Sequence, residues 1–387
     1  HSKSLFEFKK AAEKIHAPGL NVMYGDSENN IAWFASAKLY QLREGLSSRM
    51  YLNSASGEDE IVEYLSFDEN PKAINPIINY VYSANNQLDS VRGKLYPGYY
   101  QPQDRAKRII ELLDAKNDFT KDNVAKMICD VTSSTVSEIS KNLLNGMNTS
   151  SFSASEKKAI SILENWDGNY LKEAVAPTIY NRFLYEFLVS TYKDELGDSF
   201  ELFINSQLQD QVLPSQIIRQ NSVWWDDIST KNNTETKKEI IEKSFKKAFS
   251  FLQNQLGEDV KNWTWERVVS VEHEHPIGKI SVLLRKFFNV GPFKTIGGNE
   301  VINNQIFNLD STGIYKITAG PSTRRVIDFS DVENSLSILP TGQSGNVFSK
   351  HYKDQAQLYL DGKFIKMQLN SKKINSLKRK LVLKRKN

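Results

Sequence analysis

A single cysteine, Cys129, stands in 387 residues, so no intramolecular disulfide forms and the small disulfide-stapled scaffolds are excluded. It lies in a helical-looking stretch, Asn123 to Cys129, and reads as a small core hydrophobe rather than a nucleophile. The lack of disulfides fits the cytoplasm and the periplasm alike. No apolar run approaches the roughly 18 residues of a membrane-spanning helix. The amino end, HSKSLFEFKKAAEK, has the alternating charge of an amphipathic helix and not the order of a signal peptide. No fixed-period repeat or low-complexity segment occurs, which excludes solenoids and propellers. Charge of one sign is also missing, with 50 Lys and Arg against 46 acids. Eight of those bases and none of the acids fall in residues 371–387, so the rest of the chain is net negative. A cationic groove for nucleic acid is therefore not expected over the body of the protein. Within that basic tail, Leu381-Val382-Leu383 reads as a last strand with a charged edge; contact with a membrane surface or nucleic acid is the rival reading.

What is present suits a large core: 40% of residues are hydrophobic and 11% aromatic, enough for two or three domains or one layered one. The periodicity changes twice along the chain. Over residues 1–105 a helix over 3–16, with Leu5, Phe8, Ala12 and Ile15 on one face, precedes a hairpin. Val22-Met23-Tyr24 and Ile31-Ala32-Trp33-Phe34 flank its turn-rich Gly25 to Asn30. Residues 106–258 have a period near 3.6. Thr120 is placed to cap one helix, Ser153 with Glu156 and Thr236 with Glu239 form capping boxes, and another helix starts near Pro177. Residues 259–370 return to strands, at Trp265 to His275, Gly313 to Thr318, Arg325 to Phe329, Leu336 to Leu339 and Lys363 to Met367; 371–387 is the basic tail. Strands, then helices, then strands predict an α+β fold, part of an αββα sandwich, with one sheet assembled from both ends of the chain around a helical insertion.

The stretch from Tyr80 to Arg105 carries the chemistry. An apolar run, Ile77 to Tyr82, reads as a strand that delivers Ala84-Asn85-Asn86, followed by the aromatic loop with Tyr96, Tyr99 and Tyr100 and by Arg105 at a helix start. A neutral amide after a strand is a hydrogen-bond donor without charge, which an oxyanion hole requires. It is equally a turn residue, because Asn tolerates left-handed backbone. Arg105 reads either as a fixed positive field near that amide or as a surface helix residue paired with Asp104 or Glu111. The three tyrosines either line a substrate pocket or pack the loop. Glu272-His273-Glu274-His275 puts alternating histidines on one strand face, yet no second ligand cluster accompanies them, and no metal is assigned. Ser344 in Gly342-Gln343-Ser344-Gly345 resembles a nucleophile elbow only loosely and reads as a tight structural loop.

The ordered set of motifs resembles the penicillin acylase family. Leu339-Pro340-Thr341-Gly342-Gln343-Ser344-Gly345, followed by Ser349-Lys350-His351-Tyr352 and Asp354-Gln355, is similar to that family's carboxy-terminal signature. Asn21 to Asp26 with Asn30-Ile31, Asn75-Pro76, Ala84-Asn85-Asn86, Trp166-Asp167-Gly168, His275-Pro276, Phe288 to Phe293 and Gly297-Gly298-Asn299 agree in order. The resemblance implies an αββα N-terminal-nucleophile hydrolase that cleaves the amide bond of N-acyl compounds, of the β-lactam side-chain or acyl-homoserine lactone class. It implies that Asn85 is the oxyanion donor, that Arg105 supports the polar network around it, and that the protein is periplasmic or secreted.

The family's nucleophile, a Ser freed at a new amino terminus whose own α-amino group serves as base, has no match here, since the Ser2 nitrogen is in a peptide bond with His1. The expectation is therefore a carboxy-terminal portion of a β subunit, inactive alone. Its partners would be the α subunit and the amino-terminal part of the β subunit. No cofactor is expected on this chain, with a structural calcium confined to the full-length protein. The alternative is a binding or scaffold protein that keeps the fold without catalysis.

Overall fold

The computed structural model describes residues 2–377 apart from 49, 54, 88 and 89. The expected strand at Leu381 to Leu383 lies outside the described residues. The chain divides into two compact units, His1–Ala115 and Lys116–Asn387. With 39% of residues helical and 14% in strands, it has the mixed character expected of it.

In the first unit, α1 (Leu5–Ala12) is capped by the Ser4 hydroxyl, which accepts from the Glu7 N–H. It stops at Ala12, short of the predicted residue 16, and Ile15 belongs to the turn beyond it. The hairpin forms as predicted: β1 (Leu20–Gly25) pairs antiparallel with β2 (Ile31–Ser36) from Leu20 opposite Ser36 to Gly25 opposite Ile31. Asp26 closes its turn, accepting from the Glu28 N–H at 2.8 Å and the Asn30 N–H at 3.0 Å, while Asn29 takes the left-handed conformation at φ 65°. Next come β3 (Tyr40–Leu42) and β4 (Ile61–Tyr64), which pair with each other, and β5 (Lys72–Ile74), which adds to β2. A short ladder of β6 (Ser90–Val91) and β7 (Lys94–Leu95) precedes α2 (Asp104–Asp114). In the β1-β2-β5 sheet, Trp33 sits between Met23 and Ala73. Tyr24 and Phe34 meet Phe8 of α1 at 4.8 and 6.5 Å between ring centroids. The buried apolar residues here are few and small, with Ala12, Ala32, Ala35, Ala84 and Ala106 beside Trp33, Phe34 and Leu65. Polar staples therefore contribute much of the definition: the Asn70 amide donates to the Ala35 and Ala37 carbonyls at 2.9 and 2.8 Å.

The predicted strand Ile77 to Tyr82 does not exist. Asn75 and Asn79 adopt φ of 44° and 59°, Pro76 offers no N–H, and the Asn79 N–H closes a turn onto the Pro76 carbonyl at 2.9 Å. Two left-handed residues four apart break an extended run whatever its hydrophobicity, and Ile77 is left 97% exposed.

The second unit holds the large core. Its helices are α3 (Lys121–Met127), α4 (Ser134–Leu144), α5 (Ala154–Glu164), α6 (Ala176–Leu196), α7 (Phe200–Ile204), α8 (Gln207–Ile218) and α9 (Lys237–Leu256). Thr120, Ser153 with Glu156 and Thr236 with Glu239 cap them as the sequence predicts. Pro177 opens α6, where a missing N–H costs nothing, and the helix is buried on every side from Ala176 to Leu188. It packs along α9, whose Phe245 stacks with Phe152 and meets Phe183 edge-on at 5.4 Å. Three of these helices were not singled out from the sequence: α4, which Ser133 caps and which buries Val136, Ile139 and Leu143 together with Ser137 and Ser140; α7, only five residues long; and α8, which has Pro214 inside it.

Beyond Asn262 the strands are shorter than predicted. Trp265–Arg267 is a 3-10 turn that buries the indole, and the strand proper is β8 (Val269–His273). It runs parallel to β10 (Tyr315–Ile317) and antiparallel to β9 (Val290–Phe293), which follows α10 (Val282–Phe288). A second antiparallel sheet joins β11 (Arg324–Val326), β12 (Leu336–Ile338) and, after α11 (Ala356–Leu360), β13 (Ile365–Lys366); α12 (Ser371–Asn375) closes the described chain. His275 falls past the end of β8 and caps a turn, its Nδ1 accepting from the Ile277 N–H at 3.1 Å. The two histidines thus do not share a strand face. The Ser344 segment is a closed loop, with the Ser344 N–H on the His351 carbonyl at 3.1 Å. Gly342 lies so close to that carbonyl that a Cβ would sit 2.2 Å from it.

Candidate functional site

The Asn pair sits in the first unit on a turn, not at a strand end. Asn85 has φ 61°, and three hydrogen bonds set that conformation. The Ala84 N–H donates to Asn86 Oδ1 at 3.1 Å, the Asn85 N–H to Ser83 Oγ at 3.4 Å, and the Gln101 N–H to the Asn85 carbonyl at 2.8 Å. The last of these belongs to a parallel bridge between Asn86 and Gln101 that closes the base of the intervening loop. Ala84 is buried and Asn85 exposed.

Arg105, in the first turn of α2, reaches back to this turn. Its Nη2 donates to the Ala84 carbonyl at 2.6 Å and to Asn85 Oδ1 at 3.2 Å. The structure thus brings together the two residues singled out from the sequence twenty positions apart. Arg105 is half-buried, and burial depresses its pKa, with the Asp104 charge opposing. Asp104 is itself buried, with Oδ1 accepting the Arg105 backbone N–H at 2.5 Å. Burial raises its pKa, against the Arg105 backbone bond and charge. Glu111 pairs with Arg108 at 3.3 Å. With its carbonyl oxygen accepting from the Arg105 guanidinium, the Asn85 amide turns its NH₂ to the other edge of the planar group.

Tyr96 serves the scaffold. Its hydroxyl accepts from the Tyr40 N–H and donates to the Tyr40 carbonyl, both at 3.1 Å, and its own carbonyl accepts from Gln87 Nε2 at 2.9 Å. Burial raises its pKa. Tyr99 is 71% exposed, and Tyr100 lies under Gly98, where a Cβ would come within 3.2 Å of its ring. None of the three lines the cavity of about 180 Å³ beside the Asn pair. Trp33, Ala73, Tyr80, Tyr82, Asn86 and Gln87 are among the residues that do. Ser83, Trp33 and Tyr82 were not singled out from the sequence; the signal available for Trp33 was its place in a well-marked hairpin. Farther along the loop, Arg92, at φ 51°, binds Glu69 at 2.5 and 2.8 Å, Gln41 at 3.0 Å and also Glu63. Among the described residues, no three His, Cys, Asp or Glu side chains converge into a set that would hold a metal ion.

Residues 1–376 match the family model described as Penicillin amidase. Acyl-homoserine lactone acylase QuiP from Pseudomonas aeruginosa is 23% identical over 397 residues, covering 94% of this chain and 46% of the relative. The protein of the same name from Pseudomonas fluorescens strain Pf0-1 is 25% identical over 377 residues, covering 92% and 44%. The chain thus spans less than half the length of these relatives. A thermostable penicillin G acylase from Alcaligenes faecalis superposes with a TM-score of 0.66 at 17% identity, over all of this chain and 71% of that one; at that identity the likeness is one of fold.

Proposed function

Because the chain belongs to the penicillin amidase family, we propose that it forms part of an acylase that hydrolyses the amide bond of N-acyl compounds, with Asn85 as the oxyanion donor. The observation that carries this reading is the contact from Arg105 Nη2 to Asn85 Oδ1 at 3.2 Å. An Asn side chain is a useful oxyanion donor only if its NH₂, and not its carbonyl, faces the developing charge. Left alone, the amide rotates between the two. A guanidinium on Oδ1 fixes the donor outward and polarises the amide, which strengthens the NH₂ as a donor. The left-handed turn, closed by Gln101, keeps the backbone still, so that the donor is preorganised before charge appears. Arg105 acts through Asn85 as a positioning residue.

In this reading the nucleophilic Ser, with its own amino group as base, and the remainder of the catalytic sandwich come from polypeptide outside this chain, and a structural calcium, where the enzyme uses one, is held there too. The working location is the periplasm or the exterior. The names of the relatives favour an acyl-homoserine lactone or a penicillin-like N-acyl compound as substrate.

The experiment joins this chain to the nucleophile-bearing polypeptide and measures turnover of N-acyl anilides. Asn85→Ala is expected to lower kcat about 100- to 1000-fold with KM little changed. Arg105→Ala is expected to lower kcat less, and Arg105→Lys to recover only part of it, because an ammonium lacks the planar fork. Unchanged turnover in Asn85→Ala removes this residue from the chemistry.

A further inference from the structure

Ala84 and Asn85 carry four backbone hydrogen-bonding groups, and each is held by a partner outside the pair. The Ala84 N–H donates to Asn86 Oδ1 at 3.1 Å and the Asn85 N–H to Ser83 Oγ at 3.4 Å. The Ala84 carbonyl accepts from Arg105 Nη2 at 2.6 Å and the Asn85 carbonyl from the Gln101 N–H at 2.8 Å. With Asn85 Oδ1 also on Arg105 at 3.2 Å, the Asn85 NH₂ is the one polar group of the pair that no other described residue engages. An Asn at φ 61° sits in a region that an L-residue visits rarely and leaves readily, so the acceptors for the two N–H groups matter. Ser83 supplies one from the position before the pair, and Asn86 supplies the other from the position after it. Asn86 is itself fixed: its Nδ2 donates to the Gln87 carbonyl at 3.3 Å, and its backbone bridges to Gln101. That leaves Oδ1 to face Ala84.

We propose that Ser83 and Asn86 are positioning residues that act through Asn85: their side chains hold the left-handed turn, and the turn aims the Asn85 NH₂ at the place where the oxyanion forms. The proposal rests on the reading of Asn85 as oxyanion donor and adds to it the groups that preorganise that donor. A donor held by its backbone has nothing to reorganise when charge appears, and a displacement of about 1 Å in such a group costs up to about 100-fold in rate. Removing either acceptor leaves an N–H unpaired. The turn then relaxes toward the backbone regions that Asn ordinarily occupies, and the donor swings away from its target. Arg105 and Gln101 still hold the two carbonyls, so the surrounding fold is kept.

Both side chains also belong to the wall of the neighbouring cavity, which makes direct contact with substrate the rival role. The two roles separate in the enzyme formed by joining this chain to the nucleophile-bearing polypeptide, with an N-acyl anilide as substrate. Ser83→Ala and Asn86→Ala are each expected to lower kcat about 10- to 100-fold, with KM changed by less than about threefold. Ser83→Thr, which keeps the hydroxyl, is expected to recover most of what Ser83→Ala loses. In an Asn85→Ala background neither substitution is expected to lower kcat further, because a group that acts only through a side chain has nothing to position once that side chain is gone. Hydrogen exchange of the peptide spanning residues 80–87, read by mass spectrometry, is expected to show lost protection in both single variants.

An unchanged kcat in both single variants, unaltered protection of the turn, or a fall in kcat by the same factor with and without the Asn85 side chain overturns the proposal and leaves Asn85 its role. A rise in KM alone assigns Ser83 and Asn86 to substrate contact and overturns it too. Should Asn86→Ala fail to fold, Ser83→Ala with Ser83→Thr carries the test by itself. If Asn85→Ala leaves turnover unchanged, the oxyanion reading fails and the positioning role fails with it.

Discussion

At the scale of single residues, the buried guanidiniums of the second unit show how much depends on a partner. Arg182 and Glu186, one helical turn apart on α6, are 5% and 8% exposed and form an ion pair. Arg182 also donates to the Ser311 carbonyl at 2.9 Å and lies 3.4 Å over the Phe251 ring. Removing one member leaves the other charged in a low-dielectric core, and that penalty exceeds anything the pair contributes together. Arg182→Ala is expected to destabilise the unit by about 3–5 kcal/mol, while Arg182→Met with Glu186→Leu recovers most of the loss. Urea unfolding followed by tryptophan fluorescence measures both. Equal destabilisation by the single and double variants contradicts the account. From sequence, Arg182 was one charge in a helical stripe, and nothing local marked it as buried.

At the scale of elements, the β6–β7 ladder is pinned through Arg92 to Glu63 and Glu69. The Glu69 carboxyl is held down to about 2, first by the Arg92 side chain and then by the Ser66 hydroxyl and N–H. Its pKa is lower folded than unfolded, so the pinning is fully present above the unfolded value near 4.5 and is lost as pH falls through about 2. Protection of the Val91 amide from exchange, taken relative to its intrinsic rate at each pH, is therefore expected to fall between pH 4.5 and 2 in the native protein. In Glu69→Gln that protection is expected to be low already at pH 6. Protection that is unaltered by both changes removes the clamp as a cause of order.

The segment that precedes the Asn pair shows where sequence reading fails at this scale. The hydrophobicity of Ile77 to Tyr82 argued for a strand, and the backbone preferences of Asn75 and Asn79 decided against it. The hairpin at Asp26 and the capping boxes at Ser153 and Thr236 were legible because every determinant lies within a few residues of the element it defines.

At the scale of the molecule, acidic balance is expected to tune the second unit. Near the end of α6, Glu195 is an exposed residue whose carboxyl is raised to about 7, first by partial desolvation and then by its hydrogen bond with Asp194 and the Asp194 and Asp226 charges. The folded protein thus favours the protonated acid, so the contribution is fully present below the unfolded value near 4.5 and is lost as pH rises through about 7. The melting temperature of the second unit is expected to drop between pH 5 and 8, and Glu195→Gln to flatten that drop. A wild-type profile that is level across this window counts against the coupling.

The sequence by itself determined what local chemistry determines: the mixed fold class, the first hairpin, the capped helices, and the identity of the Asn-Asn pair and its downstream Arg. It also carried enough ordered motifs for family membership to be read. Only the tertiary structure decided that the Arg105 guanidinium meets Asn85 Oδ1, that Tyr96 bonds to the Tyr40 backbone while Trp33 and Tyr82 line the cavity, and that the α8 helix runs through Pro214. Those outcomes depend on contacts between residues far apart in the chain and on burial. Neither is encoded in the spacing of neighbouring side chains, because a periodic pattern specifies which face is apolar and not what that face will meet.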